Sequence, residues 1–539
     1  SLQEAARWNE ADAEIAKLTN RALVGYILAD RYLHRCCYRA KYKDLRAWMA
    51  RYADHPQARR IYRLALLKRP RGAARPRRPL PSPRSRRRRV YRPDTSLPPR
   101  PRLSRSKRRH VHYLKRRIKR SINRRRPAYA LRLLERHGSE RYMGRARYDR
   151  ERTKIAKAYL SRGNPQKAYQ LAREAATRSG AYLTDSHWVL GLAAYRLQKY
   201  EEAAESFQKV ASAADESEWL RAAGGVWAAR AWLAAGKPEN VNRWLELAAR
   251  HDRTFYGALA RQQLGLDPGH DFDVLPRLDQ REVENIKRQG PGRRGLALLQ
   301  LGESRFAGYD LLRSYFRGGE RMDEAYLALS LMGGMPRLSL KVGRRVLHRT
   351  GQRYDAALFP IPEWKPKPGY SIDRALLFAI VRQESEFNTT ARSRSGARGL
   401  MQLMPATATF IARDRSLRRR KTARLFDPDF NVALGQKFLR HLLRRPRIRG
   451  NLFFALAAYN AGEGNLAKWR YRDDPLLFIE AMHLRETRIY VEKVLYNLWV
   501  YRHRLGQPAP SLEALAAGKP PIYKALDNSP SATARYDKN

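Results

Sequence analysis

Along the first part of the chain, apolar residues recur at intervals of three and four with polar residues between them, the period of amphipathic helices. The spacing predicts helices over 5–17, 23–33, 45–52 and 58–67, the last set off by the break at Asp54-His55-Pro56. Short helices joined by short turns predict an antiparallel helical array. From 128 to 251 the pattern becomes one of helical hairpins, with turns at Gly163-Asn164-Pro165, Gln198-Lys199-Tyr200 and Gly236-Lys237-Pro238. These turns fall near the ~34-residue period of tetratricopeptide-like repeats. Leu190, Gly191, Ala203 and Phe207 keep a loose repeat register, and Trp188, Tyr195 and Trp232 fill the gaps that small residues leave. Stacked hairpins build a curved superhelix, so the predicted fold class is all-α, opening on an α-superhelical repeat region.

One later helix carries a different signal. From Ser371 or Asp373, either of which can cap a helix start, Leu376, Ile380 and Glu384 follow at intervals of four. Glu384 is thereby placed in line with an apolar stripe and at the carbonyl end of its own helix. Loss of water and the helix dipole both favour the neutral acid. A carboxyl held protonated near neutral pH can donate a proton to a glycosidic oxygen. Gly396 and Gly399 flank a turn after this helix, where glycine lets the backbone bend and come close to a ligand. Gln402 can both donate and accept, which suits an N-acetyl amide or a sugar hydroxyl. Met404 reads either as a surface for a sugar face or as core filler. A small-residue helix over 455–461 projects Tyr459 and Asn460 at its polar end; Asn460 reads equally as a helix C-cap before Gly462.

Arg382-Gln383-Glu384-Ser385, followed by Gly399-Leu400-Met401-Gln402-Leu403-Met404-Pro405, resembles the catalytic core of the soluble lytic murein transglycosylases. Ala458-Tyr459-Asn460-Ala461-Gly462 and Glu486-Thr487-Arg488-Ile489-Tyr490-Val491 agree, in the family's order. Thr254-Phe255-Tyr256-Gly257, with Leu264-Gly265, resembles the segment that closes the family's helical domain. The resemblance implies a lysozyme-like, mainly α catalytic domain behind an α-superhelical domain. It implies that Glu384 is the catalytic acid and then base. Ser393, Gln402 and Met404 would line the cleft, Tyr459 would bring its hydroxyl near the acid, and Asn460 would support the site. Glu486 would be a supporting acid and no nucleophile, although on its own it reads as a partner of Arg485 or Arg488. Departures are Gly462-Glu463-Gly464, where Gly-Pro-Gly is common, and Met482-His483, where a proline is common.

Composition narrows the field further. Lys and Arg number 110 against 51 Asp and Glu, a net charge of +59, which draws a chain to polyanions. The excess concentrates between 70 and 126, where repeated Pro-Arg and Arg-Arg steps argue against a packed element up to about 109. A basic helix over 111–122, with Leu114 and Ile118 as a thin apolar stripe, follows. Nucleic acid is disfavoured as a partner, since no stacking pattern or nucleic-acid fold motif accompanies the arginines. Cys36 and Cys37 are the only cysteines; being adjacent they form no scaffold, and they read as thiols that do not report the compartment. Asp427, Asp429 and Asn431 lack the remainder of a calcium loop and no His-Glu-x-x-His occurs, so neither metal nor cofactor is expected.

The expected organisation is a helical segment over 1–69, an Arg/Pro-rich linker over 70–110 without fixed structure, and the repeat domain over 111–350. A Pro-rich linker over 351–369, the catalytic domain over 370–507 and a tail over 508–539 complete it. The expected activity is lytic cleavage of the β-1,4 bond between N-acetylmuramic acid and N-acetylglucosamine, leaving 1,6-anhydro ends, in the periplasm although no export signal is visible. The expected partner is peptidoglycan, with the Arg-rich segment free to contact an anionic wall or membrane surface. Two rivals remain: a lysozyme-type hydrolase, and a basic helical-repeat binding protein with an inactive lysozyme-like domain.

Overall fold

The computed structural model describes residues 2–34, 38–81, 97–99, 101–136, 138–469 and 473–527, so Cys36 and Cys37 lie outside the described residues. Among the described residues the fold is all-α: helices and connecting turns, no sheet, and three isolated β-bridges. None of these helices is long and apolar enough to cross a membrane. The chain divides into two compact units, each assembled from segments far apart in sequence.

The first unit joins Ser1–Tyr91 to Asp271–Glu363. Its leading helices are Trp8–Lys17, Val24–Tyr32, Tyr42–Tyr52 and Ala58–Leu67, close to the predicted ranges. Leu45, Trp48, Met49 and Ile61 bury their side chains together. Tyr26 instead joins the core of the later segment, beside Leu311, Tyr315, Tyr326 and Val342. A buried polar knot fixes that junction. Arg294 bridges Asp54 and Asp310 at 2.9 Å each, and the Tyr26 hydroxyl donates to Asp310 at 2.9 Å.

The second unit joins Arg92–His270 to Trp364–Asn539. The basic helix is longer than the apolar stripe suggested. It runs Arg105–Asn123, with the Ser104 hydroxyl accepting from the Lys107 N–H, and it buries Leu114, Ile118 and Ser121. Leu97 is also buried, against Ala146 and Leu183. The stretch expected as linker is therefore structured at its far end, where the helix begins at Arg105 and Leu97 packs on Ala146 and Leu183. Much of the remaining Arg/Pro-rich stretch, residues 82–96 and 100, lies outside the described residues.

The hairpins follow as Arg145–Ser161, Pro165–Ser179, Thr184–Arg196, Tyr200–Ala211, Glu218–Ala234 and Val241–Ala249. All three predicted turns fall between helices of this series. The first is made by Asn164, whose side chain accepts from the Lys167 N–H at 2.9 Å, with Pro165 opening the next helix. Gly191 permits close packing of neighbouring helices: a Cβ there would sit 2.7 Å from the Phe207 ring. Trp188, Phe207 and Trp227 close the core with edge and tilted contacts at 5.4–6.4 Å.

Candidate active site

The helix Arg374–Glu384 is the centre of the candidate site. Every residue from Ala375 to Val381 is buried, so the predicted stripe is in fact a core helix enclosed on all sides. It lies against the helix Arg485–Arg504, where Arg382 donates to the Asn497 Oδ1 at 2.7 Å. Its start is held in an unforeseen way. Asp373 occupies the N-cap position, but its carboxylate takes the Leu526 N–H at 2.9 Å and an Arg502 N–H at 2.9 Å. The Arg374 N–H donates instead to Asp527 at 2.8 Å, and the Asp373 N–H to the Tyr523 hydroxyl at 3.0 Å. Residues 521–527, expected in the C-terminal tail, are thus folded onto the start of the helix Arg374–Glu384. An acid there gains from the unpaired N–H groups of the first turn.

At the other end Glu386 and Phe387 both take positive φ, 50° and 61°, and turn the chain sharply away after Glu384. The loop that follows is pinned by Asn431, fully buried on the helix Pro428–Leu443. Its Oδ1 accepts from the Met401 N–H at 2.8 Å, and its Nδ2 donates to the carbonyls of Leu425 at 2.8 Å and Arg398 at 3.1 Å. Gly399 is required at this crossing: it has φ 77°, and a Cβ would lie 2.1 Å from the Leu425 carbonyl oxygen. The two acids at the start of the Asn431 helix each accept a backbone N–H. Asp427 caps the same helix through the Phe430 N–H at 2.8 Å, and Asp429 accepts from the Lys365 N–H at 3.0 Å.

Glu384 is partly buried, and its carboxyl is pushed up to about 7. Burial is the main cause. The Tyr490 hydroxyl works the other way: it is near enough to favour the carboxylate, though outside normal hydrogen-bond geometry, and the charge of Glu486 adds to the rise. No cation is among these influences. Tyr459 and Tyr490 are both pushed well above the usual phenol range, by burial first and the Glu384 charge second, so both remain neutral donors.

The other residues singled out in the sequence take distinct places. The Tyr459 hydroxyl donates to the Met401 carbonyl at 2.7 Å, tying its helix Leu452–Ala461 to the loop while it stays within electrostatic reach of Glu384. The Asn460 Oδ1 accepts from the Thr487 hydroxyl at 2.8 Å, which locks that helix to the one bearing Glu486 and Tyr490; the C-cap is Gly462. Ser393 accepts the Ala397 N–H at 2.9 Å. Gln402 uses its amide N–H groups on the carbonyls of Gly399 at 2.7 Å and Ala391 at 3.2 Å, which leaves its carbonyl as the atom to offer a ligand. Met404 is 39% exposed and presents its thioether at the surface. Glu486 is exposed and makes no ion pair with Arg488, which turns to Glu480 at 2.6 Å and Glu492 at 3.5 Å. Of the two departures, Glu463 pairs with Arg445 at 2.9 Å, and His483 accepts from the Trp469 indole at 2.9 Å.

Sequence reasoning assigned no role to Tyr490 or Asn431. Tyr490 stood in plain view, four residues after Glu486 and so on the same helix face.

The hairpins reach this region through the Thr254-Phe255-Tyr256-Gly257 segment. Phe255 stacks on Trp499 at 5.1 Å, and the Tyr256 hydroxyl donates to Glu480 at 2.8 Å. Nearby, Arg230 forms a two-pronged pair with Asp474 at 2.8 and 3.0 Å.

Comparison with known proteins agrees with this arrangement. Residues 363–478 match the family model described as "Transglycosylase SLT domain". A soluble lytic murein transglycosylase of Salmonella typhimurium is 38% identical over 144 residues, 26% of this chain and 22% of that protein. One from Escherichia coli K12 is 35% identical over 156 residues, 28% of this chain and 24% of that protein. The aligned segments thus span about a quarter or less of those relatives. The fold likeness runs much further. The 70 kDa soluble lytic transglycosylase of Escherichia coli superposes with a TM-score of 0.53 over 97% of this chain and 98% of that one, at 16% identity. An inactive mutant of the lytic transglycosylase Slt from Pseudomonas aeruginosa gives 0.55 over 76% and 65%, at 23% identity. Residues 363–478 thus resemble the transglycosylase SLT domain of the soluble lytic murein transglycosylases, and the chain as a whole is similar in fold to those structures.

Proposed function

We propose that the chain is a lytic transglycosylase that cleaves the β-1,4 bond between N-acetylmuramic acid and N-acetylglucosamine in peptidoglycan. The observation that carries this reading is Glu384: a partly accessible carboxyl raised to about 7, with neutral tyrosines beside it and no cation among the groups that shift it. Protonated, Glu384 gives its proton to the bridging oxygen as the bond from the muramic C1 breaks. The substrate's 2-acetamido group supports the positive charge left on C1. Glu384, now a carboxylate, takes the proton of the same sugar's C6 hydroxyl as that oxygen bonds to C1. The acid is restored, no water is consumed, and a 1,6-anhydro end forms. An attacker held in the same sugar has a high effective concentration. Tyr459 and Asn460 hold the loop and the helix around the acid. The Gln402 carbonyl and the Met404 thioether are the groups offered to the sugars, Ser393 shapes the loop between them, and Glu486 tunes the acid.

Periplasmic action follows from this substrate. The exposed arginines and lysines of the helix Arg105–Asn123 would draw the protein to the wall's carboxylates.

One observation favours a hydrolase instead: Glu486 lies near enough to raise the Glu384 pKa, so a second carboxylate is at hand. Mass spectrometry of the products separates the two. Muropeptides that end in 1,6-anhydro-N-acetylmuramic acid, one water lighter than hydrolysis products and unlabelled in heavy-oxygen water, are expected. Reducing ends that carry the heavy oxygen would replace the transglycosylase with a muramidase.

A further inference from the structure

In the second unit a cavity of about 590 Å³ opens where three pieces of chain come together. They are the turn at Arg125 and Arg126, the helix Pro127–Leu134, and the end of the helix Arg145–Ser161. No residue assigned to the candidate active site lines it, and the helix Arg485–Arg504 contributes nothing to its wall. Four arginines do: Arg125, Arg126, Arg132 and Arg162, together with Tyr129 and Tyr159. Among the described residues no acid joins them; Glu135, near enough to act on Tyr159, stands outside the lining.

The arginines are set in place without being neutralised. The Arg125 Nη2 donates to the Lys468 carbonyl at 3.3 Å, and the Arg162 Nη1 donates to the Arg125 carbonyl. A carbonyl orients a guanidinium and leaves its charge. Arg126 and Arg132 are exposed and form no ion pair with the described residues; Arg132 lies over the Tyr129 ring, 5.9 Å from its centre. Arg125 takes φ 59°, a conformation that costs a side chain of this size and is met most often where function requires it. Burial first and the Glu135 charge second push the Tyr159 phenol up, so its hydroxyl stays a neutral donor. The volume lies within the roughly 300–1,000 Å³ usual for small-ligand sites. Four guanidiniums on one cavity call for more charge than a carboxylate carries. A carboxylate matches one guanidinium fork, whereas a terminal phosphate brings about two charges on three acceptor oxygens and can match several.

The neighbouring surface indicates how that phosphate is presented. The helix Arg105–Asn123 carries nine Lys and Arg and no acid, and it adjoins the cavity through Arg117, whose Nη2 donates to the Tyr129 hydroxyl. Its outer face is exposed and includes Tyr113, 50% exposed. A basic helix with an aromatic on its outer face suits an anionic lipid surface. The helix by itself attracts any polyanion; the cavity is what selects. We propose that this cavity binds a terminal phosphate presented by the head group of an anionic lipid, with the helix Arg105–Asn123 lying on the surrounding lipid surface. The phosphate oxygens take the forks of Arg126 and Arg132, and Arg125, Arg162 and the Tyr159 hydroxyl close the site. Nothing in this depends on the role of Glu384.

Vesicle flotation with the full chain tests this. One set of vesicles carries phosphatidic acid, whose phosphate is terminal; a second carries phosphatidylglycerol, whose phosphate is a diester, at matched surface charge. The chain should bind the first about tenfold more tightly than the second, because only a terminal phosphate offers oxygens to several forks. Both affinities should fall with added salt. Arg126→Lys combined with Arg132→Lys, at exposed positions, keeps the charge and removes the forks. This double variant should bind both vesicles alike, about as wild type binds phosphatidylglycerol. Inorganic pyrophosphate should bind the chain by calorimetry and displace it from phosphatidic acid. Equal binding of wild type to both vesicles, or a preference that survives in the double variant, overturns the cavity as the site. Pyrophosphate binding without vesicle binding would overturn the lipid source and assign the cavity a soluble phosphate. Cleavage of soluble glycan strands should be unchanged in the double variant, so failure here leaves the transglycosylase reading untouched, and failure of that reading leaves the vesicle result standing.

Discussion

Glu384 and Glu492 are both acids pushed upward by burial, and both belong to the surroundings of the helix Arg485–Arg504. Their neighbours set them apart. Around Glu384 stand two neutral phenols and a second acid, so its proton stays on near neutral pH while its side chain remains partly accessible. Around Glu492 stand Arg488, Lys157 and Glu480, and the Tyr256 hydroxyl closes the cluster from the hairpin side. Glu492 and Arg488 have little access to a substrate, and each charge there answers another. A raised pKa alone would have nominated both carboxylates. What separates a proton donor from a structural ion cluster is the missing counter-ion together with a path to solvent.

Substitutions should divide along the same line. Glu384→Gln keeps the shape of the side chain and removes the transferable proton, so wall-degrading activity should drop by roughly 10²–10⁴-fold. Folding should survive. The folded-state pKa is raised from the ordinary 4.5 of a glutamic acid to about 7, so the ionised acid penalises the fold increasingly through that window and fully above it. The Gln variant should therefore melt at or above the wild-type temperature at pH 8; a lower melting point would place Glu384 among the structural charges.

Arg488→Met should do the reverse. It leaves Glu480, fully buried, and Glu492 without their cation, at a cost of roughly 3–5 kcal/mol, the usual penalty for one half of a buried pair. Chemical denaturation should show this loss. A neutral result would mean that the cluster takes up a proton instead. Asp527→Ala should cost less, about 0.5–2 kcal/mol as for other lost helix caps, because it frees the Arg374 N–H at the start of the Glu384 helix. Hydrogen exchange at the first turn of that helix should rise with it.

The smallest effects are the sharpest test of the comparison. Activity that depends on protonated Glu384 should fall as pH rises through about 7. Tyr490→Phe removes a group that favours the carboxylate, so the alkaline limb should move to higher pH; Glu486→Gln removes a negative charge, so it should move to lower pH. Rate profiles that shift in the same direction in both variants would contradict the assignment of Glu384 as the titrating acid.

Much of this was legible in the sequence, because helix periodicity is local. The hairpin turns at 163–165, 198–200 and 236–238, and the helix that ends in Glu384, all follow from residues within a few turns of one another. The contacts that place Glu384 do not. Asn431 reaches the 398–401 loop from 30 residues on, and Tyr256 reaches Glu480 across 224. No local spacing encodes such pairs. Gln402 looked like a ligand group from its chemistry alone; the carbonyls of Gly399 and Ala391 claim its donors only once the loop has closed. The joining of 1–91 with 271–363 has the same origin, since Arg294 and Asp54 are 240 residues apart.

The segment folded onto the start of the Glu384 helix also has a consequence for the order in which the protein matures. Asp527 is 153 residues downstream of Arg374, whose N–H it accepts. A ribosome working at roughly 5–20 residues per second needs on the order of 10–30 s to cover that distance. Throughout that interval the helix that carries the acid has been made, but the acceptors for its first N–H groups have not. The hairpins, whose partners are neighbours in sequence, can set while synthesis continues. The start of the Glu384 helix is thus seated after the hairpins, and a chain interrupted before Tyr523 holds Glu384, Tyr459 and Tyr490 yet lacks the clasp for that helix.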